Sequence, residues 1–349
     1  MFRRLFVAIL VIAFILVAFG AWKVLLPNTN VDGQTKYLYI RTKGANEEAV
    51  MKTIRDSNFL KDPGIFQLVA GRLDVWKKLK PGKYELKRST SILELARKLR
   101  NGTQSPVNLT ITKLRTKEQL AGIVGRKFET DSSDMISYLN SADSLSTYGL
   151  DSNTVMSSVF PDTYTYLWTA SPQTIFKKLH DQHEKIWTEE RLNKAKAKGL
   201  DPVKAYTLAS IIEEETNVDD EKGNIASVYL NRLRTGMRLG ADPTVKFALR
   251  DFDLRRIYQK HLLTNSPYNT YRNAGLPPGP ICTPSLKTLD AVLNAPETNY
   301  LYFVAKSDFS QRHVFTSNYS DHLKYAREYQ AALNKLQQKK AGANDDLSK

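Results

Sequence analysis

Cysteine is all but absent: Cys282 is the only one in 349 residues, so no disulfide can form within the chain. A protein without disulfides relies on an ordinary packed core, and this length allows two domains with a sizeable core. No adjacent pattern supplies Cys282 with an activating histidine, so it reads as a small buried loop residue. Histidine is scarce as well, with five in all. His180 and His183, in "HDQHE", match neither His-Glu-x-x-His nor His-x-x-Glu-His, and no third ligand stands nearby. They read as surface histidines, and no metal or other cofactor is expected. Acidic residues are outnumbered, 36 against 51 basic ones, giving a formal net charge of +15 spread along the whole length. Such a balance suits an anionic partner: nucleic acid, a membrane surface or a carboxylate-bearing polymer.

Charge is missing entirely from Leu5 to Trp22, a run about long enough to cross a bilayer as a helix. Arg3 and Arg4 precede it and only Lys23 follows closely, which puts the N-terminus in the cytoplasm. A cleaved secretory signal is the competing reading, since "AFGA" offers small residues to a peptidase. The run exceeds the usual signal core, and Trp22 suits an interfacial anchor, so a retained anchor is expected. Residues 1–22 are then a cytoplasmic stub and transmembrane helix in the cell (inner) membrane, with the rest on the outer or periplasmic side. Export makes nucleic acid a poor partner for the basic charge.

Residues 23–35 read as a polar tether, and residues 36–112 as a small α/β unit. In that unit "YLYIRT" is a strand, "NEEAVMKTIRDSNF" and "PGIFQLVAGRL" are helices, and "LKPGKYELK" is a Pro-Gly turn and a strand. Asn46 and Ser91 stand at cap positions, Ser91 with Glu94 as a capping box, and Asn101-Gly102 ends the following helix. "PVNLTIT" closes the unit as a strand. Strand, two helices, strand is the order of a LysM domain, a binder of N-acetylated sugar polymers; a generic linker domain has the same order. Residues 113–340 read as mostly helical with a small β element, so the fold class is α+β. There "FPDTYTY" reads as an aromatic turn and 171–199 as one long charged helix. "YLYFVAKS" is a strand, and a terminal helix is capped by Ser320 or Asp321. Residues 341–349 are expected to be a disordered tail.

The helix over "DPVKAYTLASIIEEETN" has Asp201 as N-cap and Pro202 in its first turn. Projected at about 100° per residue, Ala205, Leu208, Ile211 and Ile212 form an apolar stripe, and Glu215 falls within it. Glu213 and Glu214 fall on the outward side, where they can stay hydrated. A carboxylate on a buried stripe is costly unless paired or protonated. A glutamate that keeps its proton near neutral pH is what a general acid requires. The alternatives are an ion pair with an arginine, or escape to solvent at a frayed helix end.

A second helix, "GNIASVYLNRLRTG", puts Ile225, Val228 or Tyr229 and Leu233 inward, with Asn231, Arg232 and Arg234 near its end. Loops follow with Asp242 and Thr244, then Tyr268, Asn269, Thr270 and Tyr271, then a Pro-Pro-Gly turn. Amides, hydroxyls and aromatic faces together suit a saccharide groove, although each alone is ordinary loop chemistry.

The segments "ASIIEEET", "IASVYLNRLRTGMRL", "DPTV", "YNTY", "GLPPGPI" and "YLYFVA", in this order, resemble the endolytic murein transglycosylases of the MltG/YceG-like family. "FPDTY", "LKPGKYEL" and the single N-terminal apolar segment add to the resemblance, which covers essentially the whole chain. It implies cleavage of β-1,4 bonds between N-acetylmuramic acid and N-acetylglucosamine within peptidoglycan strands, giving 1,6-anhydro ends. It also implies that Glu215 is the catalytic acid and base. Asp242, Thr244, Asn231, Tyr268, Asn269 and Thr270 are then expected to hold the sugar or orient Glu215. Peptidoglycan synthases become expected partners, and nascent wall the expected substrate. One departure stands out: the family has Gln-Thr or Gln-Ser before Asp-Pro-Thr-Val, where this chain has Gly240-Ala241. A hydrolytic muramidase using Asp242 as second carboxylate, and a non-catalytic glycan-binding scaffold, remain as alternatives.

Overall fold

The computed structural model describes residues 2–33 and 35–346, and they divide into two compact units of mixed helix and strand. The first takes Met1–Leu109, Ile123–Asp131 and Thr165–Pro172; the second takes Thr110–Gly122, Ser132–Tyr164 and Gln173–Lys349. The expected boundary at residue 112 is thus crossed by two further excursions of the chain.

In the first unit α1 (Phe2–Leu25) is long and apolar enough to cross a membrane, and none of its apolar window is covered by protein. Strand β1 (Lys36–Ile40) pairs antiparallel with β2 (Gly82–Leu86), from Lys36↔Leu86 to Ile40↔Gly82. Between them come α2 (Glu47–Asp56), α3 (Pro63–Arg72) and the short α4 (Val75–Lys78); α5 (Ile92–Asn101) follows β2. Asn46 and Ser91 accept hydrogen bonds from the backbone amides of Ala49 and Glu94, and Gly102 takes the left-handed φ of 71° that ends α5. Alternation in β2 sends Tyr84 and Leu86 into a core with Leu38, Ile54, Phe66 and Leu95.

The segment expected as a tether is packed instead. Asn28 exchanges two hydrogen bonds with Asp62, at 2.8 and 3.0 Å, and Lys23 forms an ion pair with the same carboxylate at 3.0 Å. Pro27 and Thr29 make bridge pairs with Ser91 and Leu60, and Val31 is buried. A polar composition left this segment looking solvated, yet the Asn28 and Asn30 amides donate to the Thr90 and Phe59 carbonyls and the Asn28 carbonyl accepts from the Lys61 amide. Gln34 of that segment lies outside the described residues.

Strands β3 (Val107–Ile111) and β4 (Asp162–Tyr166) pair with each other. "FPDTYTY", expected as a turn, is therefore largely strand. Helices α6 (Lys117–Lys127), α7 (Ser132–Asn140) and α8 (Ala142–Ser146) lie between them. The long charged helix is two, α9 (Pro172–Ile186) and α10 (Glu189–Ala197), because Thr188 turns extended and caps the amide of Arg191. His183 is buried against Phe160 and Trp187, with Nδ1 3.0 Å from the Ser157 carbonyl oxygen, and His180 contacts Ser158. His183 is a core residue and His180 is half-buried beside it.

The second unit is built around α11 (Pro202–Glu215), buried along nearly its whole length and packed on α12 (Lys222–Arg234), α13 (Asp242–Leu249) and α15 (Leu286–Leu293). Asp201 caps it and Pro202 enters its first turn, as the sequence predicts. A four-residue helix, α14 (Gln259–Leu262), precedes α15. Strands β5 (Tyr302–Ala305) and β6 (His313–Thr316) form an antiparallel hairpin, the second strand of which the sequence reading lacked. Helix α16 (Tyr319–Asp346) follows, with Asn318 accepting from the amide of Asp321, so the cap lies ahead of the two residues expected there. The helix takes in residues 341–346 of the tail expected to be disordered; residues 347–349 lie outside the described residues. Cys282 is buried, its thiol 3.3 Å from the Ser210 carbonyl oxygen.

Candidate active site

Glu215 is the last residue of α11, where the helix lets go at Thr216 in an extended conformation. Its side chain is half-buried in a densely packed site within the second unit. The Tyr229 hydroxyl, reaching across from α12, donates a 2.5 Å hydrogen bond to Glu215 Oε1. Tyr229 itself is buried and packs edge-on against Phe303 of β5, ring centroids 5.8 Å apart, so this donor cannot swing away.

Loss of hydration dominates the carboxyl's titration and pushes its pKa from 4.5 to about 7. The Tyr229 hydrogen bond pulls the other way, the negative charge of Asp242 adds to the rise, and Arg232 and Lys246 oppose it at longer range. Glu215 therefore exchanges its proton near neutrality, as a group serving first as acid and then as base must. Arg232 is held in place by the Leu301 carbonyl at 2.7 Å and by the Leu239 carbonyl, and lies 5.5 Å from the Tyr302 ring centre. Asp242 is exposed in the first turn of α13 and accepts a 2.6 Å hydrogen bond from the Tyr271 hydroxyl. The pair brings a second carboxylate and a second phenol toward Glu215.

The neighbouring glutamates are not hydrated as expected. Glu214 pairs with Lys113 and Arg115 at 3.1 and 3.0 Å. Glu213 accepts from Ser285 at 3.2 Å and from Thr288, with Lys222 at 3.5 Å. Because α11 runs through the middle of the unit, its outward face meets protein, and the carboxylates there are neutralised by fixed partners.

Of the six residues expected to contact sugar, four are occupied with holding backbone. Asn231 is buried and donates to the Thr298 and Tyr300 carbonyls, both at 2.9 Å, while its carbonyl oxygen accepts from Arg234. Asn269 is buried and donates to the Leu262 and Thr264 carbonyls at 2.9 and 2.8 Å. Thr244 and Thr270 are buried and share a 2.9 Å hydrogen bond; Thr244 donates to the Ala241 carbonyl and Thr270 accepts from the Ala241 amide. They pin the loop before α13 to the loop carrying Tyr271, and so set the Asp242–Tyr271 pair. Tyr268 is half-buried on Phe247, centroids 4.6 Å apart, with its pKa raised to about 12 by burial. Asp242 alone of the six is exposed. Tyr229, Arg232 and Lys246 belong to the cluster although sequence reasoning gave them no role, and Tyr271, read there only as part of a saccharide groove, joins them through Asp242. Tyr229 carried only an apolar signal there, as one of two candidates for the inward stripe of its helix.

Residues 39–328 match the YceG-like family. The chain belongs to that family. A Bacillus subtilis relative named "endolytic murein transglycosylase" is 28% identical, the alignment covering 91% of each chain. A relative of the same name from Streptococcus pneumoniae (strain D39) is 26% identical over 82% of this chain, which spans 57% of that protein's length. Among solved structures, a yceG-like protein from Listeria monocytogenes superposes with a TM-score of 0.53 at 26% identity, covering 84% of this chain and 99% of that one. In this YceG-like chain the Gly240-Ala241 departure falls beside the cluster. Gly240 has a left-handed φ of 58°, and a β-carbon there would lie 3.6 Å from the Tyr271 ring and 3.7 Å from the Arg232 guanidinium.

Proposed function

We propose that this chain is a membrane-anchored lytic transglycosylase that cuts peptidoglycan strands internally, with Glu215 as its catalytic residue. The observation that carries the reading is Glu215 itself: a half-buried carboxyl with a pKa of about 7, held by one oxygen on Tyr229. Protonated Glu215 gives its proton to the glycosidic oxygen between N-acetylmuramic acid and N-acetylglucosamine, and positive charge develops at C1 of the muramoyl ring. Arg232 and Lys246 stabilise the carboxylate left behind. That carboxylate then takes the proton of the muramoyl C6 hydroxyl, whose oxygen bonds to C1 and closes the 1,6-anhydro ring. The proton has returned to Glu215, no water is consumed, and one carboxyl has served twice. Asp242 favours the return through its charge on Glu215. General acid–base catalysis by such a group contributes roughly 10²–10⁴-fold.

Helix α1 anchors the chain in the cell membrane, with Arg3 and Arg4 on the cytoplasmic side and the chain after it outside. The β1–β2 pair of the first unit, with α2, α3 and the short α4 between its strands, acts as a LysM-like binder of the glycan. Placed there, the enzyme works on nascent strands beside the synthases and ends their elongation. The test is the mass of the products formed by the full-length protein in detergent. Muramoyl ends lighter by one water than hydrolytic ends, absent with Glu215→Gln, support the reading. Hydrolytic ends would move it to a muramidase using Asp242, and cleavage retained by Glu215→Gln would remove Glu215 from the chemistry.

A further inference from the structure

A cavity of about 1560 Å³ in the second unit is lined without Glu215. Ser227, Leu230, Asn231 and Arg234 line it from α12, following the i, i+3, i+4, i+7 spacing of one helix face. Tyr229 and Arg232, which face Glu215, project from the other side of that helix. One helix therefore separates the cavity from the catalytic carboxyl. Distance along the fold is short, since Thr207 lines the cavity eight residues before Glu215 on α11, about 12 Å along the axis.

The walls combine apolar and charged groups. Leu230, Leu233, Leu276, Pro277, Pro278 and Pro296 give rigid apolar surface. Around it stand Lys198, Arg234 and Glu297, none of them in an ion pair among the described residues, whereas Asp201 is taken by Lys204 at 3.2 Å. Arg234 and Lys198 make only neutral contacts, to the Asn231 side chain at 2.8 Å and the Ala295 carbonyl at 2.9 Å. Two cations and one carboxylate, free to pair and set in apolar walls, call for a ligand with carboxylates, an ammonium and small apolar side chains.

Resting on the transglycosylase reading, the substrate carries such a group on every muramoyl residue that has kept its stem: a short peptide with free carboxylates and the amine of a diamino acid. A stem of four or five residues extends about 13–18 Å, enough to pass over a helix about 10–12 Å across. We propose that this cavity binds the peptide stem of the glycan, carboxylates toward Lys198 and Arg234 and the ammonium toward Glu297. The enzyme then prefers strands that still bear their stems, and the cavity supplies that preference without touching the bond that is cut.

The test uses the full-length protein in detergent, with Arg234→Glu and Glu297→Lys as variants, since both side chains are exposed and neither belongs to the catalytic cluster. Each protein is titrated by calorimetry with the free tetrapeptide stem, and assayed on stem-bearing strands and on the same strands stripped by an amidase. The wild type is expected to bind the tetrapeptide, and each reversal to weaken binding about tenfold or more. KM for stem-bearing strands should rise by a similar factor in the variants, with cleavage of stripped strands unchanged. A tetrapeptide that does not bind the wild type overturns the inference, as do variants that slow both substrates alike. If the wild type cuts neither substrate yet binds the tetrapeptide, and the variants lose that binding, the transglycosylase reading fails and the peptide site stands.

Discussion

Replacing Glu215 by Gln should stabilise the folded protein at alkaline pH while leaving acid stability unchanged. Burial raises this carboxyl from 4.5 to about 7, so the folded state holds its proton more tightly than the unfolded chain between those values. By linkage, folding stability falls as pH rises across that window. Below pH 4.5 the group is protonated in both states and ionisation costs nothing; above pH 7 the folded state carries a charge it disfavours by about 3 kcal/mol. Gln keeps the shape, and its carbonyl can still accept from Tyr229, so the variant escapes that cost. Denaturant unfolding of the full-length protein in detergent, followed by tryptophan fluorescence at pH 4, 6 and 8, reads the difference. The variant should match the wild type at pH 4 and exceed it by about 3 kcal/mol at pH 8 in the transition of the second unit. Parallel stability curves, separated equally at all three values, would refute the claim that Glu215 is held protonated by its surroundings.

Other substitutions test the rest of the cluster. Tyr229→Phe removes the hydrogen bond that favours the Glu215 carboxylate, so the alkaline fall in activity should move to higher pH, with little change in rate at acid pH. Asp242→Asn removes a charge that helps hold the proton, and the same limb should move to lower pH; a pH–rate profile of each variant distinguishes the two directions. His183 behaves oppositely to Glu215: burial lowers its pKa from 6.5 to about 4, so the folded state binds fewer protons than the unfolded one within that window. Stability should therefore be lost as pH falls through it, by about 3 kcal/mol in all, and His183→Gln should flatten that part of the curve as measured by denaturant unfolding.

Local signals proved readable wherever one element decides the outcome. Asp201, Asn46 and Ser91 cap the helices their sequence positions imply, because capping involves only the next few residues. Periodicity on α11 singled out Glu215, since one apolar stripe was enough to show that this carboxylate differs from its neighbours. What stayed hidden depends on contacts across the chain. Glu213 and Glu214 project away from that stripe, yet meet Lys222, Lys113 and Arg115 because other segments cover that side of the helix. Tyr229 looked like core because the partner of its hydroxyl lies 14 residues earlier on another helix. The loop amides and hydroxyls of Asn231, Thr244, Asn269 and Thr270 are the types that bind sugars, and also the types that satisfy buried backbone. Composition cannot separate those two uses; burial does.

The most direct test of Glu215 as acid and base is the pH dependence of anhydro-end formation on uncrosslinked glycan by the full-length protein. A carboxyl that must be protonated to act predicts a rate that falls with rising pH, with an apparent pKa near 7, and that vanishes in Glu215→Gln. A rate that is flat from pH 5 to 9, or a fall near pH 7 that survives in Glu215→Gln, would contradict it.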